Sequence, residues 1–187
     1  ISLVKTKYIP TLSSGRSCGN DFICAEHFKF AGTALATHLS LCFTMIAKHT
    51  HMPDKLTKVV LTPIVKDKTS SVTAKDNYRP IAVASASSKV LERIFLNRCS
   101  SVLETGCHQF GFKGNHSTDM AIYALKEISD YFLRNNSPVF LCFLDARKAF
   151  DRVNHWTLFD KLLEKGMDPN LVRLLCSWYQ SQRFHVR

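Results

Sequence analysis

The segment PVFLCFLDARKAFDRVNH, residues 138–155, changes its hydrophobic pattern in the middle. Val139 to Leu144 form an unbroken apolar run of the kind a strand shows when both its faces are buried. The run stops at Asp145. Beyond it Ala149, Phe150, Val153, Leu158, Phe159, Leu162 and Leu163 recur at helical spacing. The pattern therefore predicts a buried strand, a carboxylate at its C-terminal tip, and a helix running on to Lys165. In mixed folds of helix and sheet, ligands and metals collect at that tip. An Asp at such a junction can also do no more than cap the helix. Arg147 and Lys148 follow at once, and a second carboxylate, Asp151, is expected to be structural, pairing with Arg147 at i, i+4.

Upstream, Asp21–His49 reads as helix, with Ala25, Phe28, Leu35, Leu39, Cys42, Phe43 and Ile46 on one face and Gly32 marking a break. KVVLTPIV, residues 58–65, is rich in strand formers, but Pro63 points to an edge or irregular strand. A polar loop, residues 66–77, carries Lys66, Lys68 and Lys75 and leads into Asn77-Tyr78-Arg79-Pro80-Ile81. Ser85–Leu103 is a predicted helix capped by Ser87 or Ser88, with Val90, Leu91, Ile94, Phe95 and Leu103 on its apolar face. Lys89, Arg93 and Arg98 lie on other faces, toward phosphate or toward water. Gln109-Phe110-Gly111-Phe112-Lys113-Gly114 interrupts the helices. Asn115–Thr118 starts the next one, which continues through Ala121, Ile122, Leu125, Ile128 and Phe132 to Asn135. Gly166 ends the helix after Asp145, Asp168-Pro169 opens another to about Tyr179, and residues 181–187 read as the start of a strand.

The 187 residues are 45% hydrophobic, enough for one ordinary domain or two small subdomains with a real core. Lys and Arg total 25 against 15 Asp and Glu, a net charge of +10, which suits a polyanionic partner such as nucleic acid. The seven cysteines (18, 24, 42, 99, 107, 142 and 176) are odd in number, lack a Cys-x-x-Cys pair and lie partly in apolar runs. They are expected to be buried free thiols in a reducing compartment. Neither His49/His51 nor Cys107-His108 has the paired spacing of a zinc site. No signal peptide and no membrane-spanning apolar run is visible, so an intracellular location and no membrane partner are expected. The chain opens on Ile1 and closes on Arg187 inside a new segment, and is expected to be a piece of a longer polypeptide.

FLDARKAFDRVNH, residues 143–155, resembles the first catalytic block of reverse transcriptases from non-LTR, LINE-like retrotransposons: a hydrophobic run, Asp, two variable residues, a basic residue, Ala-Phe-Asp, then Val and Asn-His. Thr62-Pro63 with Lys66, the polar loop and Asn77–Ile81 resemble the fingers hairpin of the same family, and residues 109–118 resemble its next block. Gly15–Asp21 is a weaker likeness to the Gly-Lys-x-x-Gly-Pro-Asp-Gly block, with Arg16, Asn20 and Phe22 departing from it, and His116 stands where family members more often have Arg. The resemblance implies an α+β, helix-rich fold: an N-terminal polar segment (1–20), a fingers-like subdomain (21–136) and a partial palm (137–187) of a right-hand polymerase.

It further implies template-directed addition of deoxynucleoside triphosphates to a DNA primer on an RNA template, by a mechanism with two Mg²⁺ ions about 4 Å apart. Asp145 would be the catalytic carboxylate and, with the carbonyl of Ala146, a metal ligand. Lys66 and Arg79 would hold the triphosphate, and Ala149 and Phe150 would complete the nucleotide site, with Phe150 as steric gate against a ribose 2′-hydroxyl. Gln109, Gly111 and Lys113 would lie along the template. The family's other metal carboxylates come from an aromatic-x-Asp-Asp hairpin, and no Asp-Asp occurs in these 187 residues. The chain alone is therefore expected to be inactive. Two other readings stay open: a non-catalytic, nucleic-acid-binding relic of a retroelement, and an unrelated metal-dependent phosphatase or nuclease built on the same Asp.

Overall fold

Strand β1 (Lys58–Val65) is the middle member of a three-stranded sheet in the order β2-β1-β3. It pairs antiparallel with β2 (Tyr78–Val83), from Val60↔Val83 to Val65↔Tyr78, and parallel with β3 (Arg183–Val186), from Lys58↔Arg183 to Leu61↔Val186. The computed structural model describes residues 3–146 and 148–187. Seven α-helices lie among them: α1 (Ala25–Phe30), α2 (Gly32–His49), α3 (Asp54–Thr57), α4 (Ala86–Arg98), α5 (Thr118–Arg134), α6 (His155–Glu164) and α7 (Pro169–Ser181). The expected mixture of helix and sheet, rich in helix, is what forms. No helix among the described residues is long and apolar enough to cross a membrane.

Pro63 does not consign β1 to an edge. The Lys66 N–H donates to the Asn77 carbonyl at 2.8 Å, so the bonded cross-strand positions are 66, 64, 62 and 60. Pro63 and Pro80 face each other in the intervening, unbonded register, where neither needs a donor toward its neighbour. On the other side, the Arg187 N–H reaches the Leu61 carbonyl at 3.0 Å. The next donor in that ladder would be residue 63, which as proline has none. One imino acid thus fits a central strand by ending the second ladder beside it.

The chain packs as two units, residues 1–102 with 156–187, and residues 103–155. The first holds the main core. Phe28, Ala36, Phe43 and Ile46 of α1 and α2 join Val90 and Leu91 of α4, Leu174 of α7 and Met52. Val4, Tyr8, Ile9 and Leu12 also enter it, from a π-helical turn (Val4–Tyr8) and the residues after it. Gly32 breaks the first helical stretch at φ +74, where a β-carbon would be strained. Cys42, expected on the buried face of that stretch, is exposed. Ser85, rather than Ser87 or Ser88, caps α4: its hydroxyl accepts the Ser88 N–H at 3.1 Å, while the Ser88 hydroxyl donates to the Leu56 carbonyl at 2.7 Å. Cys18 and Cys24 are joined in a disulfide, against the expectation of free thiols throughout; a short loop holds their Cα atoms 4.7 Å apart. Cys99 is buried and free, as expected.

The second unit departs furthest from expectation. Residues 138–146 form no strand, and Phe140, Phe143 and Leu144 are 91%, 79% and 94% exposed. Strand backbone persists only when a neighbour satisfies its N–H and C=O groups, and among the described residues no strand pairs with this run. The predicted helix directly after Asp145 is also absent. Lys148 sits at φ +52, a 3-10 turn spans Phe150–Arg152, and α6 begins only at His155. Left-handed backbone at residue 148 cannot continue a helix. The i, i+4 pairing of Arg147 with Asp151 falls on residue 147, outside the described residues. Helix α5 forms where expected, capped by Ser117, yet none of its residues is fully buried. A unit of this size has too little interior to enclose an amphipathic helix.

Candidate functional site

The hairpin β1–β2 brings Lys66 and Arg79 together. Arg79 stands directly across from Ile64, and Lys66 lies two residues beyond Ile64 on the same face of the ladder. Diagonal neighbours of this kind lie roughly 7–8 Å apart, within reach of two long side chains converging on one ligand. Both residues are exposed, with the exposed Ile64 and Ile81 beside them. The Lys66 ammonium donates to the Asp76 carbonyl at 2.7 Å, which folds it back over the hairpin loop.

That loop is organised by Asn77 and Asp67, to neither of which the sequence reading gave a role of its own. Asn77 is buried, and its amide is used on both sides. The Asp67 N–H donates to its oxygen at 3.0 Å, and its nitrogen donates to the carbonyls of Asp67 at 2.9 Å and Ser71 at 3.3 Å. Asp67 accepts from the Thr69 hydroxyl at 2.7 Å, the Thr69 N–H at 2.9 Å and the Ser70 hydroxyl at 2.7 Å. Those bonds, with Thr69 contributing most, hold its carboxyl down at about 2. An Asp followed at two and three residues by Thr and Ser is a local signal for such a turn.

In the second unit, Gln109 donates from its side chain to the Gly111 carbonyl at 3.1 Å, and the Lys113 ammonium reaches the Gly106 carbonyl at 3.3 Å. These contacts fold the 105–114 segment upon itself, with Phe112 at φ +57 and its ring almost wholly exposed. That ring meets the ring of Phe150 edge to face, with centroids 5.9 Å apart. One of the template candidates' own segments therefore touches a nucleotide-site candidate. Asp145, Ala146 and Ala149 are exposed on the irregular stretch just before Phe150. The separate packing of the two units leaves Lys66 and Arg79 in one and the remaining candidates in the other.

Asp145 and the Ala146 carbonyl are oxygen donors of the kind Mg²⁺ takes, but the ion wants six ligands in near-octahedral order. Among the described residues no group of three or more His, Cys, Asp or Glu side chains could hold a metal. The donors present do not make a magnesium site by themselves, and no chemical step can be derived through one here.

Comparison with known proteins bears on the whole set. The chain is 31% identical over 182 residues to the probable RNA-directed DNA polymerase from transposon X-element of Drosophila melanogaster, covering 94% of this chain and 20% of that protein. It is 27% identical over 183 residues to the probable RNA-directed DNA polymerase from transposon BS of the same species, covering 96% and 20%. It is 26% identical over 182 residues to the RNA-directed DNA polymerase from mobile element jockey of Drosophila funebris, covering 95% and 20%. The chain thus spans about a fifth of the length of these curated relatives. The model of the family described as reverse transcriptase (RNA-dependent DNA polymerase) matches residues 65–187, a span that begins just before Lys66 and takes in every site residue named above. On that match the chain belongs to the reverse transcriptase family.

Proposed function

We propose that this segment is part of an RNA-directed DNA polymerase of a non-LTR retroelement, supplying fingers (21–136) and the first portion of a palm (137–187). The observation that carries the reading is the family match over residues 65–187, which contains the nucleotide, template and metal candidates in order. Lys66 and Arg79 suit the polyphosphate of a deoxynucleoside triphosphate: an ammonium is a point charge, and a guanidinium forks across two oxygens. Gln109, Gly111 and Lys113 belong to the template strand, with the glycine allowing close backbone approach and the lysine meeting phosphate. In the full polypeptide Asp145 and the Ala146 carbonyl would be this segment's oxygen donors to magnesium, which would supply charge stabilisation there. Ala149 and Phe150 line the sugar side of the nucleotide, and RNA template and DNA primer are the partners. Without the Asp-Asp carboxylates, these 187 residues do not turn over alone.

Primer extension on an RNA template, by the full polypeptide that carries this segment, tests the reading. Asp145→Asn is expected to abolish extension while leaving template binding within about twofold, because the substitution removes one metal-seeking charge and little else. Extension that survives Asp145→Asn would end the assignment, and extension by the 187-residue chain alone would refute its incompleteness. The net charge of +10 also supports the relic reading. A relic binds RNA with steep salt dependence and never extends a primer.

A further inference from the structure

We propose that the cavity between the loop of residues 13–25 and the first turns of α4 binds a phosphoryl oxyanion. The cavity measures about 240 Å³ and three cations line it: Arg16 from the loop, and Lys89 and Arg93 from α4. Lys89 and Arg93 are four residues apart, so they share a face of the helix. Both are half-buried, while Arg16 is exposed. No carboxylate lines the cavity, and among the described residues none of the three cations is ion-paired. Glu26, near the same loop, accepts the Gly15 N–H and does not line the cavity. Three like charges around one half-enclosed space repel each other, and an anion reverses the sign of that interaction.

The cavity is built rather than incidental. A β-carbon on Gly19 would lie 2.8 Å from the Cα of Ser85 and 2.9 Å from its nitrogen, so glycine alone lets the loop seat against the N-terminal end of α4. The Cys18–Cys24 disulfide closes the loop on itself next to Gly19. Arg93 also donates to the Thr11 hydroxyl, which holds the guanidinium in place ahead of any ligand. Ser13 and Ser17 line the same space, and serine hydroxyls can donate to phosphoryl oxygens. Positive backbone polarity at the start of the 13-residue α4 adds to the field. The ligand chemistry is a phosphate oxyanion, supplied either by the backbone of a nucleic-acid strand or by free pyrophosphate. None of these residues belongs to the nucleotide, template or metal sets above, and the proposal holds or fails independently of the polymerase reading.

The test uses the 187-residue chain with a short labelled single-stranded RNA, read by fluorescence anisotropy between about 50 and 200 mM salt, and separately with inorganic pyrophosphate. Arg16→Gln, Lys89→Gln and their double variant are compared with Lys48→Gln on the exposed face of α2, and thermal melts confirm folding. If the strand is the ligand, the double variant weakens RNA binding about tenfold and lowers the salt slope by about 0.7 for each lost contact. If pyrophosphate is the ligand, its direct binding, read by titration calorimetry, weakens about tenfold in the double variant while the RNA affinity follows that of Lys48→Gln. A folded double variant that binds both ligands no more weakly than Lys48→Gln would overturn the proposal.

Discussion

Phe112 and Phe150 meet edge to face, with ring centroids 5.9 Å apart and ring planes at 89°. Each belongs to a different stretch, and each is mostly exposed, at 94% and 75%. An exposed aromatic pair adds only about 0.5–1.5 kcal/mol beyond the area it buries. Its consequence is orientation. Phe112→Ala is therefore expected to cost less than about 1 kcal/mol in a urea melt. If Phe150 screens the sugar of an incoming nucleotide, Phe150→Ala in the full polymerase raises ribonucleotide incorporation by about 10–100-fold. Phe112→Ala then gives part of that loss with Phe150 still present. Unchanged sugar discrimination in both variants would remove Phe150 from the nucleotide site.

Asn77 governs the hairpin loop through its amide rather than its bulk. Asn77→Ala strands the Asp67 N–H and the carbonyls of Asp67 and Ser71 in a part-buried setting, with an expected cost of about 1–3 kcal/mol. Asn77→Asp keeps an acceptor for the Asp67 N–H but turns a donor into a charge facing carbonyls, and should be no more stable than the alanine variant. Hydrogen exchange at the Asp67 amide separates a local effect from a global one. Protection there should collapse in the alanine variant and persist in the aspartate variant, while the amides of α4 keep theirs in both.

Asp67 makes the same loop respond to acid. Its carboxyl is held at about 2 against an ordinary value of 3.8, chiefly by the Thr69 hydroxyl and N–H and then by Ser70. A depressed folded value means that the charged form is favoured in the folded loop. The stabilisation is complete above 3.8 and is lost as pH falls through about 2. A carboxyl-detected NMR titration should find Asp67 with a midpoint near 2, and Thr69→Val should move it up. A midpoint near 3.8 in the unmodified chain would show that the turn does not persist in solution.

How far the sequence spoke for itself varied with how local the physics was. Asn115–Thr118 as a helix start, Gly32 as a break, Gly166 as a stop and Asp168-Pro169 as a start depend on a few adjacent residues, and each is found. The hairpin around residues 66–77 was expected from the family resemblance rather than from local signals, and it forms. Val139–Leu144 was not legible. Its composition states that it can be a strand, but a strand needs partners, and composition does not say whether any lie alongside. Ser85 and Ser88 form a third case. Any serine near the start of α4 could cap it, and the choice fell to Ser85 because the Ser88 hydroxyl is committed to the Leu56 carbonyl, 32 residues away in sequence. Asn77 and Phe112 were read only as members of their motifs, because an amide and an exposed ring acquire roles only from what the folded chain places beside them.

Gly19 was read only within the weakly matching Gly15–Asp21 block, yet it makes the tightest backbone approach of any glycine of the chain. The obstacle to a side chain there is the backbone of Ala84 and Ser85, with Ala84 carbonyl carbon 3.1 Å from the position a β-carbon would take. Backbone at a helix cap cannot swing aside as a long side chain can. Gly19→Ala must therefore lift the loop or shift the start of α4, at an expected cost of about 1–3 kcal/mol. Ala84, Ala86, Arg16 and Lys89 all line the adjoining cavity, so the same displacement spreads its cations. The variant should thus lose both thermal stability and phosphate-dependent RNA binding. Gly15→Ala separates these effects: it meets no atom within 4 Å, but its φ of +68 strains any β-carbon. That substitution should lower stability by about 1 kcal/mol while binding stays within about twofold. Equal behaviour of the two variants in both measurements would mean that the loop does not seat against Ser85.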